Sequence, residues 1–532
     1  MPIGQKVVLI GGGHNALITA FYLAKGGFKP VVLERRDRVG GGAVTEEFHP
    51  GFKASTLSHT LGPLRSDVAR DLQLERFKLE ILRPDPRVFA PSPDGRALLF
   101  YDDPDKTAGV ISRVSAKDGS RYTEFAESLS DIAGVFSQLA AITPPGIDHP
   151  SPEDFWNLFK TGRGIRGLGK TGIFDLLRWG PMAVADFVSE FFETELVRAV
   201  IAARGIFGSA LGPWSAGSTT VLLLRAAADA HPVGSAAFPV GGLGEFTRAL
   251  ADAAKHAGAE IRTNAEVQQI RTKSGAVAGV VLTDGEEIAC EAVVSGVDPK
   301  RTFFNLLDPG NLDPVFATRI KNYRARGRVA KVHLALGDLP HFPSLANAVG
   351  PDGLRQGLSG RIHIGHEIDY LEKAFDASKY GEISAAPHLD VTIPTLLDPS
   401  LAPEGKHVLS AYFQFAPFTL KTGNWNDRRG ELANIVIKTL GAYAPNLASI
   451  VEAAHVITPQ DLESTYGFTG GHIFHGEIAL DQIFTMRPVL DWARYQTPVK
   501  GLFLCGNGTH PGNGLTGASG ANAAKEIIHE LR

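Results

Sequence analysis

Two hydrophobic periods alternate along this chain. Val7 to Ile10 is a short unbroken apolar run, as expected of a parallel strand covered on both faces. Leu17, Ala20, Phe21 and Ala24 then recur with helical spacing, and Gly26-Gly27 ends that helix. Pro30 to Leu33 is a second strand, closed by Glu34. A strand, a helix and another strand in so few residues predict a parallel sheet. The same grammar returns later. Glu245 to Ala257 reads as a helix and Gly258 to Ile261 as a short parallel strand. Val267 to Thr272, Ala276 to Leu282 and Glu287 to Ala289 alternate around Ser274-Gly275 and Asp284-Gly285, a small antiparallel meander. Ala292 to Ser295 rejoins the main sheet. Near the end, Leu502 to Leu504 is apolar, and a helix runs from about Ala518 to Leu531.

Between these blocks the pattern changes. Residues 76–235 hold strand-like pieces, Arg87 to Phe89 and Ala97 to Tyr101, followed by amphipathic helical stretches. Residues 326–460 hold a strand, Val329 to Leu336, and a helix, Glu431 to Tyr443. No internal repeat or low-complexity tract interrupts them. The chain is therefore expected to be α/β. A discontinuous nucleotide-binding domain would comprise 1–75, 236–325 and 461–532, and an α+β substrate domain would be formed by insertions 76–235 and 326–460.

Composition narrows this picture little. The length of 532 residues suits two to four structural domains. A net charge of −4 gives no basic footprint for nucleic acid, so no such partner is expected. The two cysteines, Cys290 and Cys505, form no CxxC pair, which argues against disulfide chemistry and suits a reducing compartment. The first strand starts almost at the N-terminus, leaving no room for a signal peptide, and no apolar run is long enough to span a bilayer. A cytoplasmic location is expected. Asp154 to Phe192 mixes Phe155, Trp156, Phe159, Leu177 and Trp179 with Lys160, Arg163, Arg166, Lys170 and Arg178. Such a stretch either lies on a membrane surface or supplies the buried stripe and solvated face of covering helices.

The glycines carry the chemistry. After the first strand stands Gly11-Gly12-Gly13-His14-Asn15-Ala16, the dinucleotide fingerprint with alanine in third place. Gly11 allows the tight turn, Gly13 lets the backbone approach a pyrophosphate, and Ala16 keeps the helix close to the sheet. Glu34 lies 23 residues after Gly11, about where an acidic side chain meets the adenosine ribose. A carboxylate there disfavours a 2′-phosphorylated nucleotide. Arg35 to Ala43 forms a second glycine loop whose arginines could serve the pyrophosphate. The C-terminal Gly506-Asn507-Gly508-Thr509-His510-Pro511-Gly512-Asn513-Gly514 again follows a strand. A dinucleotide long enough to touch both signatures is FAD.

These blocks, with Gly241 to Gly244 and Val267, resemble the flavin amine oxidase and phytoene desaturase superfamily over nearly the whole length. Gly13 to Leu17, Ala43 to Glu47 and Gly470 to His475 are similar to the branch containing pyridine nucleotide-disulfide oxidoreductase domain-containing protein 2. The resemblance implies a Rossmann-like fold with FAD extended through the nucleotide domain. It places Gly11, Gly13, His14, Asn15, Ala16, Glu34, Arg35, Gly41, Gly42 and Ala43 on the ADP half and Val267 at the adenine. Gly506, Asn507, His510, Gly514, Leu515 and Thr516 fall at the ribityl and flavin half. Ala16 departs from the usual glycine.

On the substrate side less is fixed. Lys331 either faces the flavin, as a similar Val-x-Lys lysine does in flavin amine oxidases, or is an alternating residue turned to solvent. His472 and His475, with Glu477, lack a third strong metal ligand and either line the cavity or bond backbone around the flavin; no metal is expected. The reading that follows is an FAD-dependent oxidoreductase removing hydride from an apolar, isoprenoid-like small molecule and passing electrons to O₂ or a quinone. Its rivals are a flavin amine oxidase and an FAD-binding protein that acts through partners without turnover.

Overall fold

The structure, a computed structural model, describes residues 4–147 and 150–532. Five strands form a wholly parallel sheet in the order Leu502–Leu504, Ala292–Ser295, Lys6–Ile10, Lys29–Leu33, Glu260–Arg262. The first strand therefore lies in the middle, between Ala292–Ser295 and Lys29–Leu33, and the C-terminal strand Leu502–Leu504 forms one edge. Side chains alternate across the sheet with period two. Val7 and Leu9 join a core with helices His14–Lys25, Leu243–Ala257 and Ala518–Glu530, whereas Val8 and Ile10 face the antiparallel meander Val267–Lys273, Ala276–Leu282, Glu287–Ala289. The apolar run after Lys6 is unbroken because both faces are covered. Leu17, Ile18 and Leu23 have no exposure, and each contributes about 1.5–3 kcal/mol of burial.

The helices at opposite ends of the chain pack directly together. Thr19 Oγ1 bonds the carbonyl oxygens of both Asn15 and Gly520 at 2.9 Å. A methyl group on Gly520 would stand 2.4 Å from the Asn15 carbonyl, so only glycine permits this approach. Ala16, the departure from the fingerprint, fits because Gly296 lies opposite; a Cβ there would come 3.0 Å from the Ala16 methyl.

A second sheet of seven strands follows the order Val451–Ile457, Val329–Leu336, His407–Gln414, Leu389–Thr392, Arg361–Ile364, Val88–Pro91, Ala97–Phe100. All pairs are antiparallel except Arg361–Ile364 with Val88–Pro91. Ala330, Val332, Leu334 and Leu336 pack against helix Trp425–Gly441. The other face of that strand is covered by the hairpin Thr45–His49, Phe52–Ser55 and by Leu57. Lys331 thus belongs to a strand with no solvent face.

A helical layer closes the sheet's end, chiefly Ala116–Ala141, Glu195–Ile206 and Ser218–Ala226. From it project two helices, Pro152–Gly167 and Gly169–Trp179. Phe155, Trp156 and Phe159 are 57–62% exposed and Leu177 69%, while Trp179 is buried. Apart from Trp179, these aromatics form an outward surface rather than a buried stripe. No described helix is long and apolar enough to cross a membrane.

Candidate functional site

Where the two sheets meet, a continuous cleft runs from the fingerprint loop to the helical layer. Its lining is drawn from both sheets and from the helical layer. One part is built by the parallel sheet. The first strand stops at Ile10, and helix His14–Lys25 starts with Gly13 as its N-cap, so free N–H groups open onto the cleft. A Cβ built on Gly13 meets nothing within 4 Å, whereas one on Gly12 would stand 2.8 Å from Val39. The space beside Gly13 is a cradle left empty by the protein, the shape an incoming pyrophosphate requires.

Glu34 sits at the end of the second strand, buried, and its carboxylate accepts from Gly12 N at 2.6 Å and Arg36 N at 2.9 Å. Both oxygens are thereby held in place at the end of the second strand. Arg35, Gly41, Gly42, Ala43 and Val267 line the same part of the cleft. From the other end of the chain come Gly506, Asn507, Gly514, Leu515 and Thr516. The two sets are bonded to one another: Asn15 Nδ2 donates to Asn507 Oδ1 at 3.0 Å, and His14 Nε2 meets the Gly514 carbonyl at 3.1 Å. Burial pushes His14 down to about 4, so its ring is neutral and can donate to that carbonyl. A dinucleotide fits this wall, with backbone where phosphates belong and small residues along its length.

Three expected site residues stand elsewhere. The His510 ring bonds the Leu139 carbonyl at 2.9 Å and does not line the cleft. His472 is wholly buried behind the wall; its Nδ1 accepts from Phe474 N at 3.2 Å and its Nε2 has no partner. Lys331 is also fully buried, at neither solvent nor the cleft surface. Its Nζ lies 2.7 Å from His59 Nδ1 and 3.9 Å from the centre of the Tyr412 ring. Burial drives its amine well below the usual lysine range. The lysine thereby fixes the His59 ring, whose Nε2 faces Asp390 at 3.9 Å. His475 does line the cleft, at φ 56°, with an unpartnered buried Nδ1 beside Gly506. Among the described residues no group of three His, Cys, Asp or Glu is placed to hold a metal.

The rest of the cleft is floored by the second sheet. Strand register sets His363, Asp390, Tyr412 and Lys331 in one row across four strands, so they share a face. Asp390 Oδ2 accepts from Arg361 at 2.9 Å and stands 3.9 Å from His59 Nε2. Burial alone would raise this carboxyl; the Arg361 charge and the His59 bond instead hold it far below the usual range. Val88, Val200, Ala203, Phe207, Val233 and Ile473 supply apolar wall, and Arg204, Arg225 and Asp229 line the far end.

Sequence reading missed this row, since its members are spread from residue 331 to 412 and only strand pairing unites them. It also missed Arg487, fully buried with no carboxylate partner. Its guanidinium donates to the carbonyls of Phe474, Gly476, Glu477, Gln482, Asn507 and Thr509, tying the His475 segment to the C-terminal glycine loop. Asp298 had a local signal: Asp-Pro after an apolar strand marks a helix start. Its carboxylate caps Arg301 N and accepts from Thr469 N and Oγ1.

Comparison with known proteins places this geometry. The family model described as flavin containing amine oxidoreductase matches residues 17–528. Pyridine nucleotide-disulfide oxidoreductase domain-containing protein 2 of Rattus norvegicus is 35% identical over 99% of this chain and 93% of its own. A limonene dehydrogenase polypeptide of Castellaniella defragrans is 27% identical, covering 99% and 94%. A solved oxidoreductase from Methanosarcina mazei superposes with a TM-score of 0.61 over 99% of this chain and 100% of that one, at 15% identity, a likeness of fold.

Proposed function

The chain belongs to the flavin containing amine oxidoreductase family, and from that premise we propose that it removes hydride from a substrate with an apolar body and passes the electrons to O₂ or a quinone. It is an FAD-dependent oxidoreductase; bound FAD supplies the two-electron acceptor. The residues of this chain hold and shape. Gly13 and the helix start behind it receive the pyrophosphate, Glu34 receives the ribose hydroxyls, and the Gly506–Thr516 wall receives the flavin half. Helix Ala518–Glu530 directs its positive N-terminal end at this wall, favouring negative charge as the ring is reduced. Lys331 fixes His59, and His59 and His475 present neutral imidazoles to the cleft, each pushed down to about 4 by burial.

The observation that carries the apolar reading is the charge of the substrate compartment. Its carboxylates, Asp229 and Asp390, are already paired with Arg87 and Arg361, and Arg204 and Arg225 add further positive charge. A protonated amine would find no unpaired carboxylate and several guanidiniums. An isoprenoid-like body suits the walls, and one relative is named for limonene. The test is anaerobic mixing of the yellow protein with limonene or farnesol and, separately, octylamine, following the visible flavin band. Bleaching by the isoprenoids and not by the amine is expected. Bleaching by the amine alone makes the protein an amine oxidase, and a flavin that neither light nor any donor reduces makes it a binding protein.

The same reading includes contact with an anionic membrane surface through helices Pro152–Gly167 and Gly169–Trp179. Their outward aromatics, with Trp156 and Phe159 stacked at 5.7 Å, stand among lysines and arginines as an interfacial helix requires.

A further inference from the structure

Four arginines crowd the far end of the cleft, and three are bonded to carboxylates or carbonyls. Arg87 bonds Asp229 at 3.1 Å and pairs with Asp102. Arg204 donates to the carbonyls of Asp229, His231 and Pro232. Arg361 holds Asp390 at 2.9 Å and donates to the Val233 carbonyl, though its buried Nε has no partner. Arg225, from helix Ser218–Ala226, has no hydrogen-bond partner among the described residues. Its Nε is buried and orphaned, and its Cζ lies 4.5 Å from the centre of the Phe207 ring. The ring contact holds the guanidinium in place and leaves its unbonded Nη groups to the cleft, which both residues line.

An unpaired guanidinium in such a place is costly. Burial and the neighbouring Arg361 charge push Arg225 down to about 10. Asp390 and Tyr412 offset this only in part and no described carboxylate bonds it, so the natural compensation is a ligand. Four guanidiniums against the carboxylates of Asp102, Asp229 and Asp390 leave one positive charge over. That balance suits a monoanion and leaves a phosphate dianion overcharged. The planar pair of Nη groups also matches the two oxygens of a carboxylate.

We propose that the substrate is an apolar monocarboxylate, its carboxylate gripped by the Nη groups of Arg225. This rests on reading the cleft as the substrate compartment. It sharpens that reading: the apolar body lies along Val88, Val200, Ala203 and Phe207, and the charged end points away from the nucleotide wall.

The test is calorimetric titration of the holoprotein with decanoate, decanol, decylamine and decyl phosphate, a readout that needs no turnover. Decanoate is expected to bind at least about tenfold more tightly than decanol. Arg225→Met should weaken decanoate about 10- to 100-fold and shift decanol by no more than about threefold. Arg225→Lys keeps the charge without the planar pair and should fall between. If Arg225→Met does not fold, the ranking of ligands on the unmodified protein and on Arg225→Lys decides. Equal affinities for decanoate and decanol, no decanoate binding, an unaffected Arg225→Met, or preference for decyl phosphate each overturn the proposal. Light reduction of the flavin in the same preparations reports separately on the redox reading. A protein that reduces normally but does not discriminate carboxylate sinks only the anion site.

Discussion

Neighbouring glycines in the fingerprint loop should fail in opposite ways when substituted. Gly13 has φ −69°, open to any residue, and its built Cβ meets nothing within 4 Å. Gly13→Asp therefore places a good N-cap residue at the start of helix His14–Lys25, and the unliganded protein should be as stable as before or up to about 1 kcal/mol more so. The new carboxylate fills the pyrophosphate cradle. At about 4 Å and an effective dielectric near 20, each pair of like charges costs about 4 kcal/mol, which corresponds to roughly a thousandfold loss of affinity before steric exclusion is counted. Gly12→Ala is the counterpart. Its methyl would press on Val39 at 2.8 Å and crowd Glu34 at 3.1 Å, so its damage should be to folding, about 1–3 kcal/mol. The assay is FAD stoichiometry after gel filtration, beside thermal melts of cofactor-free protein. Gly13→Asp should be colourless and undamaged; Gly12→Ala should melt earlier and still bind FAD in proportion to its folded fraction. Stoichiometric FAD on Gly13→Asp, or an early melt of that variant without cofactor, would refute the assignment of this cradle.

Acid should unfold the protein early. His14, His59, His475 and His510 are pushed to about 4 by burial, against about 6.5 in an unfolded chain. The unfolded state therefore takes up more protons below neutrality, so stability is full above about pH 6.5 and falls as pH drops towards 4, by about 3 kcal/mol per histidine once all are protonated. Thermal melts should show a steep decline between pH 7 and 5, and a flat profile across that range would contradict the burial of these rings. On the surface, Trp156→Ser with Phe159→Ser should lower sedimentation with phosphatidylserine vesicles by tenfold or more. Binding that survives both changes, or that is equal on neutral phosphatidylcholine vesicles, would remove the membrane reading.

What the sequence reveals here depends on distance along the chain. The parallel strands and the meander were legible because their signals are local: unbroken apolar runs, glycine turns, an acidic residue a fixed distance on. The glycine loops along the cleft were legible for the same reason, since each is contiguous. His510 shows the limit. Its loop adjoins the cleft, but its ring turns to Leu139, and no local pattern records which way a side chain in a glycine-rich loop points. Lys331 was left open between two faces because strand alternation assumes one wet side, and here both are covered. The row of His363, Asp390, Tyr412 and Lys331, the Arg487 clamp and the unpaired Arg225 exist only through pairing between distant strands and helices. Every one of them is a polar residue in an otherwise ordinary stretch.

The bond between Asn15 and Asn507 spans 492 residues of chain. A ribosome adding about 5–20 residues per second takes roughly half a minute to a minute and a half to make that interval. Throughout it the fingerprint strand waits for Leu502–Leu504 and for the helix that Gly520 allows to dock. The pocket therefore cannot exist before Leu502–Leu504, Asn507 and Gly520 have been made. Flavin capture becomes a late event in the life of each molecule, and whatever shields the apolar sheet before it must act on a nascent chain with no cofactor to hold.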